Sequence, residues 1–455
     1  MTGLTVRKAV APAYLFLCLL LGGSAQGMWG NALLQILAVV IIGWTLLDDS
    51  GETLPRAARP LIAIVGAGLL LVALQLVPLP AAIWTTLPGR EIVANGRELL
   101  GLAPGSSSVS LAPYATVTTV FYLLPPIAVF LSVLKWAKGA EPWLALSLVA
   151  ATFLGVLLGL PQVLGGALRS NPWHLYEQSN FGFATGFFAN KNHMASLLLV
   201  AVPFLLALAS LAAASSKDPR KRYSVMALTA GGLGVLLAAI LLNRSAAAFA
   251  LIFLVLPAGL VMSGWLRPQW KPLLLGAGIV LFLGILAAIF SPIGQRFAPA
   301  GSAGSLANRQ GILSTSVEAI KEFGPVGTGL GTFEKVYPLF EDPDSVGLTY
   351  VNHAHNDYAE LIVELGAVGA VLLLLFLIWW GASVARMLAA PNASLFAKAG
   401  AIGSVAILIH SAVDYPLRTA AMSSVFAFCL TMILASRTSA RSSKDLREAR
   451  HLVIE

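Results

Sequence analysis

Apolar residues dominate the chain in long runs that are separated by short polar segments. A helix needs roughly 20 consecutive apolar residues to cross the hydrocarbon core of a bilayer. Counted on that basis, the runs predict about twelve membrane-spanning helices, at 9–26, 31–48, 60–78, 115–134, 142–164, 193–213, 225–243, 246–264, 272–290, 358–381, 397–413 and 419–435. The predicted fold class is therefore all-α, a polytopic membrane helical bundle.

The composition excludes a soluble globular protein. Of 455 residues, 57% are hydrophobic and only 11% are charged, and the mean hydropathy is +0.82. Residues 1–455 are predicted to form one integral membrane domain, whose first apolar run is a span because another run follows it at once. Cys18 and Cys429 lie inside apolar runs, where a buried thiol is ordinary, so we expect neither a disulfide nor a metal site from them.

The net charge of +8 is explained by membrane topology rather than by nucleic acid, which is not an expected partner. If the N-terminus is cytoplasmic, nearly every cytoplasmic connection is basic, as the positive-inside rule requires. The basic tail at 436–455 is then cytoplasmic as well. The connections carry Lys135, Lys138, Lys217, Arg220, Lys221, Arg222, Arg267, Lys271, Arg386 and Lys398.

The basic loops alone determine this predicted orientation. The unusual polar segments then all fall on the opposite, extracytoplasmic side. The segment 291–357 is too long for a simple connection and predicts a small loop subdomain. Within it, Gly304–Phe323 has the spacing of an amphipathic helix, with Ile312, Val317 and Ile320 among its apolar positions. The glycines at 327, 329 and 331 lack a preceding strand, so they predict a tight loop rather than a dinucleotide site.

Residues 352–358 place two histidines and two asparagines directly before an apolar run. Polar groups at a membrane boundary are costly, so a functional role is their first interpretation. An imidazole can accept a proton from a hydroxyl near neutral pH, which makes His355 a candidate general base. Asn356 or Asp357 can instead cap the helix. Three carboxylates share one helix face: Asp357, Glu360 and Glu364.

Cations that can hold an anionic group lie in three other extracytoplasmic segments. Lys191 begins the sixth span, beside Asn192 and His193, and either contacts substrate or reaches to water or lipid phosphate. Arg244 lies between two spans with no acidic residue near it in sequence, so it binds either a substrate phosphate or a lipid headgroup. The long loop adds two weaker candidates, Arg296 and Arg309.

Two further groups of residues have competing interpretations. His353 and His355 with Asp357 have metal-ligand chemistry but no clear fourth ligand, so no metal and no cofactor is predicted. The last extracytoplasmic turn carries His410, Asp414 and Arg418. A local salt bridge is expected there, and the same residues are candidate substrate contacts.

These residue types suit transfer from an anionic, lipid-borne substrate: arginines hold phosphate while a histidine activates a hydroxyl. Nucleotide sugars are absent from that side of the membrane, so the donor would be a lipid-linked glycan. The main alternative is a transporter or flippase of such a lipid without transferase activity, although transport sites lie near the bilayer midplane.

The region 186–418 resembles the superfamily of O-antigen ligases and Wzy-type polysaccharide polymerases. The most specific element is His355-Asn356, nine residues, Gly366, two residues and Gly369. Eleven residues make about three helical turns, so His355 and Gly366 are expected on one face, with the glycine letting a neighbouring helix or a prenyl chain approach. The segments 188–193, 327–333 and 410–417 and the position of Arg244 also resemble this superfamily.

The resemblance implies a GT-C-type glycosyltransferase in the bacterial inner membrane, with both termini cytoplasmic and a periplasmic active site. His355 would be the essential base, Arg244 would bind pyrophosphate, and Arg309, in competition with Arg296, would be the second phosphate contact. The implied partners are an undecaprenyl-pyrophosphate-linked donor, a glycan or lipid A core acceptor, membrane lipids and a chain-length regulator or other assembly proteins. The Arg-x3-Leu pattern of ligases is absent because Ala248 stands four residues after Arg244, which favours a polymerase.

Overall fold

The computed structural model describes residues 3–24, 28–49, 54–290, 302–343 and 350–451. Helices dominate these residues, and a single antiparallel bridge between Leu79 and Ser107 is the only strand-like pairing among them. The all-α prediction is confirmed.

The described helices are, in order, α1 Gly3–Leu21, α2 Trp29–Leu47, α3 Arg59–Gln75, α4 Ala81–Trp84, α5 Glu91–Leu99, α6 Pro113–Tyr122, α7 Leu124–Trp136, α8 Glu141–Leu164, α9 Lys191–Ala214, α10 Pro219–Asn243, α11 Ala246–Ser263, α12 Trp270–Phe290, α13 Ser302–Phe323, α14 Phe333–Val336, α15 Asp357–Leu388, α16 Leu395–His410 and α17 Ala420–His451. Short 3-10 turns occur at Arg56–Ala58, Tyr337–Leu339 and Pro416–Arg418.

Within the described residues, nine helical segments are long and apolar enough to cross a membrane. Two shorter apolar helices, Leu395–His410 and Ala420–Ala435, correspond to the last two predicted runs. The run predicted at 115–134 is divided into α6 and α7, because Pro125 and Pro126 occupy the first turn of α7 and interrupt the hydrogen bonds there. A multi-pass membrane protein is therefore supported, and the count of twelve spans stays a prediction.

The helix α9 is the centre of the bundle. It packs against α8, α10, α11 and α16, and 72% of its most apolar 18-residue window is buried, compared with 6% for α12. The apolar residues of α12 therefore face outward, as expected for contact with lipid. The central position of α9 matters for function because its first turn carries the polar cluster predicted at 191–193.

Several helix ends meet at one end of the bundle. The helices α9, α11 and α15 begin there, and each has a capping side chain that accepts hydrogen bonds from backbone amides: Asn190, Ser245 and Asn356. The prediction that Asn356 caps a helix is confirmed. Because α10 ends beside Asn190 and α16 ends beside the start of α15, residues far apart in sequence converge at this end.

The glycine loop at 325–331 fills a break in α15. Gly366 has φ 61° and ψ −153°, which interrupts the helix. The amide of Gly329 donates to the carbonyl of Glu364 (2.9 Å), and the amide of Ala367 donates to the carbonyl of Pro325 (2.8 Å). A Cβ on Gly366 would lie 2.1 Å from the Pro325 oxygen. The tight-loop prediction is confirmed, but Gly366 admits this loop rather than a neighbouring helix or a prenyl chain.

The predicted amphipathic helix at Gly304–Phe323 corresponds to α13, which packs against α15. Its apolar face is narrower than the sequence implied. Ile312 is buried, whereas Val317 is 39% exposed. The helix brings Arg309 towards the turn after α16, and that contact belongs to the site described next.

Candidate active site

A cavity of about 370 Å³ lies where these helix ends meet. Five residues singled out in the sequence line it together, from three separate segments of the chain. Tyr415, which the sequence did not single out, lines it as well. The five are Lys191, Asn192, His193, Arg309 and His355.

Asp414 is the buried carboxylate around which this cavity is organised. Its side chain is fully buried, and its Oδ2 atom accepts hydrogen bonds from Asn192 Nδ2 and from Arg309 Nη2, the latter at 3.3 Å. Its Oδ1 atom accepts from the backbone amide of Tyr415 (2.8 Å) and from Asn190 Nδ2 (3.4 Å). The carboxylate is thus held from several sides, and its position is fixed.

Two imidazoles face the same oxygen of Asp414. His355 Nδ1 lies 3.6 Å from Oδ1, and His193 Nε2 lies 3.9 Å from it. His193 is buried, whereas the His355 side chain is 24% exposed. His355 therefore combines a buried carboxylate partner with access to the cavity, the arrangement expected of a general base and the group that orients it.

Asp414 is ionised at neutral pH. Burial alone would raise the pKa of the carboxyl, but interaction with His355 and the positive charge of Arg309 hold the pKa well below its usual range. The site consequently contains a fixed negative charge next to His355.

His355 has an unusual backbone conformation that places its side chain here. Its φ is 49°, in the left-handed region that few residues other than glycine adopt. The ring also packs edge-on against Tyr415, with 5.0 Å between ring centroids. His355 precedes α15 instead of lying on it, so the expectation that His355 and Gly366 share a helix face is wrong.

Arg309 connects α13 to the turn after α16. Besides the contact with Asp414, its Nη1 donates to the carbonyl of Val413 (3.0 Å). A guanidinium carries five N–H donors, and the side chain is 25% exposed. Arg309 therefore retains donors for an anion in the cavity. Arg296, its competitor in the sequence interpretation, lies outside the described residues.

Arg244 lies beside the cavity rather than in its lining. It ends α10 in a left-handed conformation (φ 56°), and its carbonyl accepts a hydrogen bond from Lys191 Nζ (3.4 Å). The same ammonium lies 3.8 Å from the centre of the Phe183 ring, a cation–π contact. Lys191 thus forms the connection between the cavity and the exposed Arg244.

A second, buried cluster surrounds Arg418. Its Nη1 lies 2.8 Å from Glu364 Oε2 and 3.4 Å from Glu360 Oε1, and its Nε lies 3.7 Å from Asp357 Oδ1. Burial lowers the pKa of this guanidinium, but the three carboxylates raise it more, so Arg418 is charged. The expected local salt bridge with Asp414 is wrong, because Arg418 turns towards α15 whereas Asp414 turns towards α13.

This cluster supports the cavity without lining it. Glu360 Oε1 lies 2.8 Å from His353 Nδ1, and Glu360 Oε2 accepts from the amide of Ala354 (2.9 Å). The His353 ring packs on Tyr415, with centroids 4.1 Å apart. Glu360 therefore fixes the loop that carries His355, which gives His353 a structural partner that the sequence did not indicate.

Two other predicted residues have hydrogen-bond partners outside the cavity lining. Asn356 accepts from the amides of Tyr358 and Ala359, both at 3.0 Å, and donates to the carbonyl of Ala412 (3.0 Å). His410 contacts Ser196 through Nδ1 (2.7 Å). In the part of the chain that the structure describes, no three His, Cys, Asp or Glu side chains are arranged to hold a metal ion.

Residues 231–374 match a family model described as O-antigen ligase. Residues 231–374 are therefore similar to the O-antigen ligase family over about a third of the chain. The match confirms the family resemblance, and the matched region includes Arg244, Arg309 and His355. No curated protein matches the chain. The cavity lining extends beyond the matched region on both sides, since it includes Lys191 before that region and Tyr415 after it.

Proposed function

We propose that the protein is an inner-membrane glycosyltransferase that transfers an undecaprenyl-pyrophosphate-linked glycan to an acceptor hydroxyl on the periplasmic side. The reaction would polymerise or ligate O-antigen or exopolysaccharide. The observation that carries this proposal is the contact of His355 with buried Asp414 in a cavity that also holds Lys191 and Arg309. The match of residues 231–374 to the O-antigen ligase family model supports this reaction class.

His355 is the proposed general base. With Nδ1 against Asp414, its Nε2 nitrogen accepts the proton of the acceptor hydroxyl as that oxygen attacks the anomeric carbon of the donor. A glycosidic C–O bond forms, and the bond from the anomeric carbon to the pyrophosphate oxygen breaks. The ionised Asp414 stabilises the imidazolium, as a buried carboxylate does in hydrolase triads.

The leaving pyrophosphate takes the bonding electrons, and cations stabilise its charge. Arg309 and Lys191 line the cavity, and Arg244 lies next to Lys191. Because these residues supply the base and the charge stabilisation, the proposed reaction uses no metal and no cofactor. Transfer is expected to persist in EDTA.

The test is transfer by the purified protein in detergent with a lipid-linked repeat unit. Longer chains from the repeat alone would indicate a polymerase, and a strict requirement for lipid A core would indicate a ligase. The absence of Leu at position 248 favours the polymerase.

His355→Ala is expected to lower kcat by about 100-fold or more, the usual contribution of general acid–base catalysis. Lys335→Ala is the control, because Lys335 also belongs to the segment 291–357 but is 63% exposed and does not line the cavity. Retention of transfer by the His355 variant in detergent, with loss only of lipid movement across vesicles, would contradict the enzyme proposal and favour a flippase.

A further inference from the structure

Asn243 is a buried amide at the end of α10, one residue before Arg244. It is fully buried, and its Nδ2 donates to the carbonyl of Ala184 (2.8 Å) and to that of Lys191 (2.7 Å). Both hydrogens of the side-chain amide are therefore used. One side chain ties together the loop before α9, the first residue of α9 and the end of α10.

The turn that follows Asn243 is held in a conformation that is costly for a residue with a side chain. Arg244 has φ 56° and ψ 35°, and its amide donates to the carbonyl of Leu241 (3.2 Å). Ser245 then caps α11 through the amide of Ala248 (3.4 Å). The backbone of Arg244 is therefore fixed on both sides by the hydrogen bonds of its neighbours, Asn243 and Ser245.

Lys191 is attached to this turn twice. Its backbone carbonyl accepts from Asn243, and its ammonium donates to the carbonyl of Arg244. Within the described residues, neither Lys191 nor Arg244 forms a salt bridge with a carboxylate. Lys191 and the Arg244 turn are thus held together at the edge of the cavity, and neither of these cationic residues has a salt-bridge partner among the described residues.

We propose that Asn243 is a positioning residue, which sets the spacing between Arg244 and Lys191 so that both cations contact the pyrophosphate of the lipid-linked donor. This inference rests on the proposed function. Asn243 does not touch the substrate. It acts by holding the Arg244 turn against the first residue of α9, which reduces the reorganisation needed when the anion binds.

The test compares donor affinity and turnover in Asn243→Ala. The KM for the lipid-linked donor and the inhibition constant of inorganic pyrophosphate are both expected to rise about tenfold, equivalent to about 1.4 kcal/mol. The kcat is expected to fall by a smaller factor, because the two cations hold the pyrophosphate before as well as during its departure. Thr229→Val is the control, because Thr229 is also buried on α10 but donates only to the carbonyl of Val225, within the same helix.

A double-mutant cycle with Arg244→Ala separates positioning from general destabilisation. If Asn243 acts through Arg244, adding Asn243→Ala to the Arg244 variant changes KM by less than about twofold. An undiminished tenfold effect in that background would overturn the proposal. Asn243→Ser, which keeps one donor, is used in the same cycle if the alanine variant does not fold.

The same measurements distinguish this inference from the proposed function. If Arg244→Ala leaves the KM for the donor unchanged, the pyrophosphate role of Arg244 is wrong. If Arg244→Ala raises the KM but Asn243→Ala does not, only the positioning role is wrong.

Discussion

At the scale of single residues, Asp414 is important because its carboxylate positions several other side chains of the site. Its carboxylate is shared by an arginine from α13, an asparagine from α9 and the loop histidine His355. Since the groups come from distant segments, a change at this one side chain affects both the proposed base and a proposed phosphate ligand.

Asp414→Asn is therefore expected to reduce kcat by on the order of 10²–10⁴, as loss of the orienting carboxylate does in hydrolase triads. The amide keeps the size of the side chain but not its charge. Transfer assays at pH 7 would measure the effect. A variant with unchanged kcat would show that His355 does not depend on Asp414.

The Asp414→Asn substitution is also expected to change how the stability of the protein depends on pH. Because the folded pKa of Asp414 is depressed, its ionised form stabilises the fold above the unfolded pKa of about 3.9, and this contribution is lost as the pH falls below that value. The difference in Tm between wild type and Asp414→Asn should be constant from about pH 5 to 7 and should shrink below about pH 4. A difference that grows on acidification would contradict the depressed pKa.

The residue types of the site were predictable, whereas their pairing was not. His355, Lys191 and Arg309 could be chosen because such side chains are costly at a membrane boundary. The partner of Asp414 could not be chosen, because Arg309 is 105 positions away and Arg418 is only four. Tyr415 lies in the segment 410–417 that resembles the superfamily, but its role in the cavity was not predicted, since a tyrosine beside a proline at a membrane interface is ordinary.

At the scale of elements, the break in α15 and the glycine loop form one unit. Gln75 of α3 donates to the carbonyl of Glu364 (3.0 Å), a group freed by the break, and buried Arg90 donates to the carbonyl of Gly327 (2.9 Å). Backbone groups that lose helical partners inside a membrane protein must find others. The sequence indicated the glycines but not these two polar side chains.

Gly366→Ala is expected to destabilise the protein by several kcal/mol. The backbone conformation costs a residue with a Cβ about 1–3 kcal/mol, and overlap with Pro325 adds about as much. Gly381→Ala is the control in the same helix, because a Cβ there meets nothing within 4 Å. Thermal unfolding in detergent measures both variants. Equal Tm values for the Gly366 and Gly381 variants would show that the glycine loop shifts to accommodate the added Cβ without loss of stability.

At the scale of the whole molecule, the apolar pattern predicted the class of fold because each span must satisfy its own backbone. It did not predict which helix is central. The helices α9 and α10 are similarly apolar, yet 72% of the apolar window is buried in α9 and only 22% in α10. Packing between helices depends on shape rather than on hydropathy, so this information is absent from the pattern of apolar runs.

The orientation of the bundle determines on which side of the membrane the cavity lies. The helix α9 has 24 residues, and at about 1.5 Å per residue its length exceeds a hydrocarbon core of about 30 Å. If α9 spans the membrane, its two ends are expected on opposite sides of it. The cavity is at the Lys191 end, and the basic loop that contains Lys217 is at the other end. The positive-inside rule predicts that the Lys217 loop is cytoplasmic.

Cysteine labelling tests this arrangement, and the native thiols Cys18 and Cys429 give little background because both are buried. In spheroplasts, a membrane-impermeant maleimide should label Glu177→Cys, in the exposed loop before α9. It should label Lys217→Cys only after the membrane is permeabilised. Labelling of position 217 from outside would reverse the orientation and place the cavity in the cytoplasm. A lipid-linked periplasmic donor would then be excluded, although the geometry of His355 and Asp414 would be unchanged.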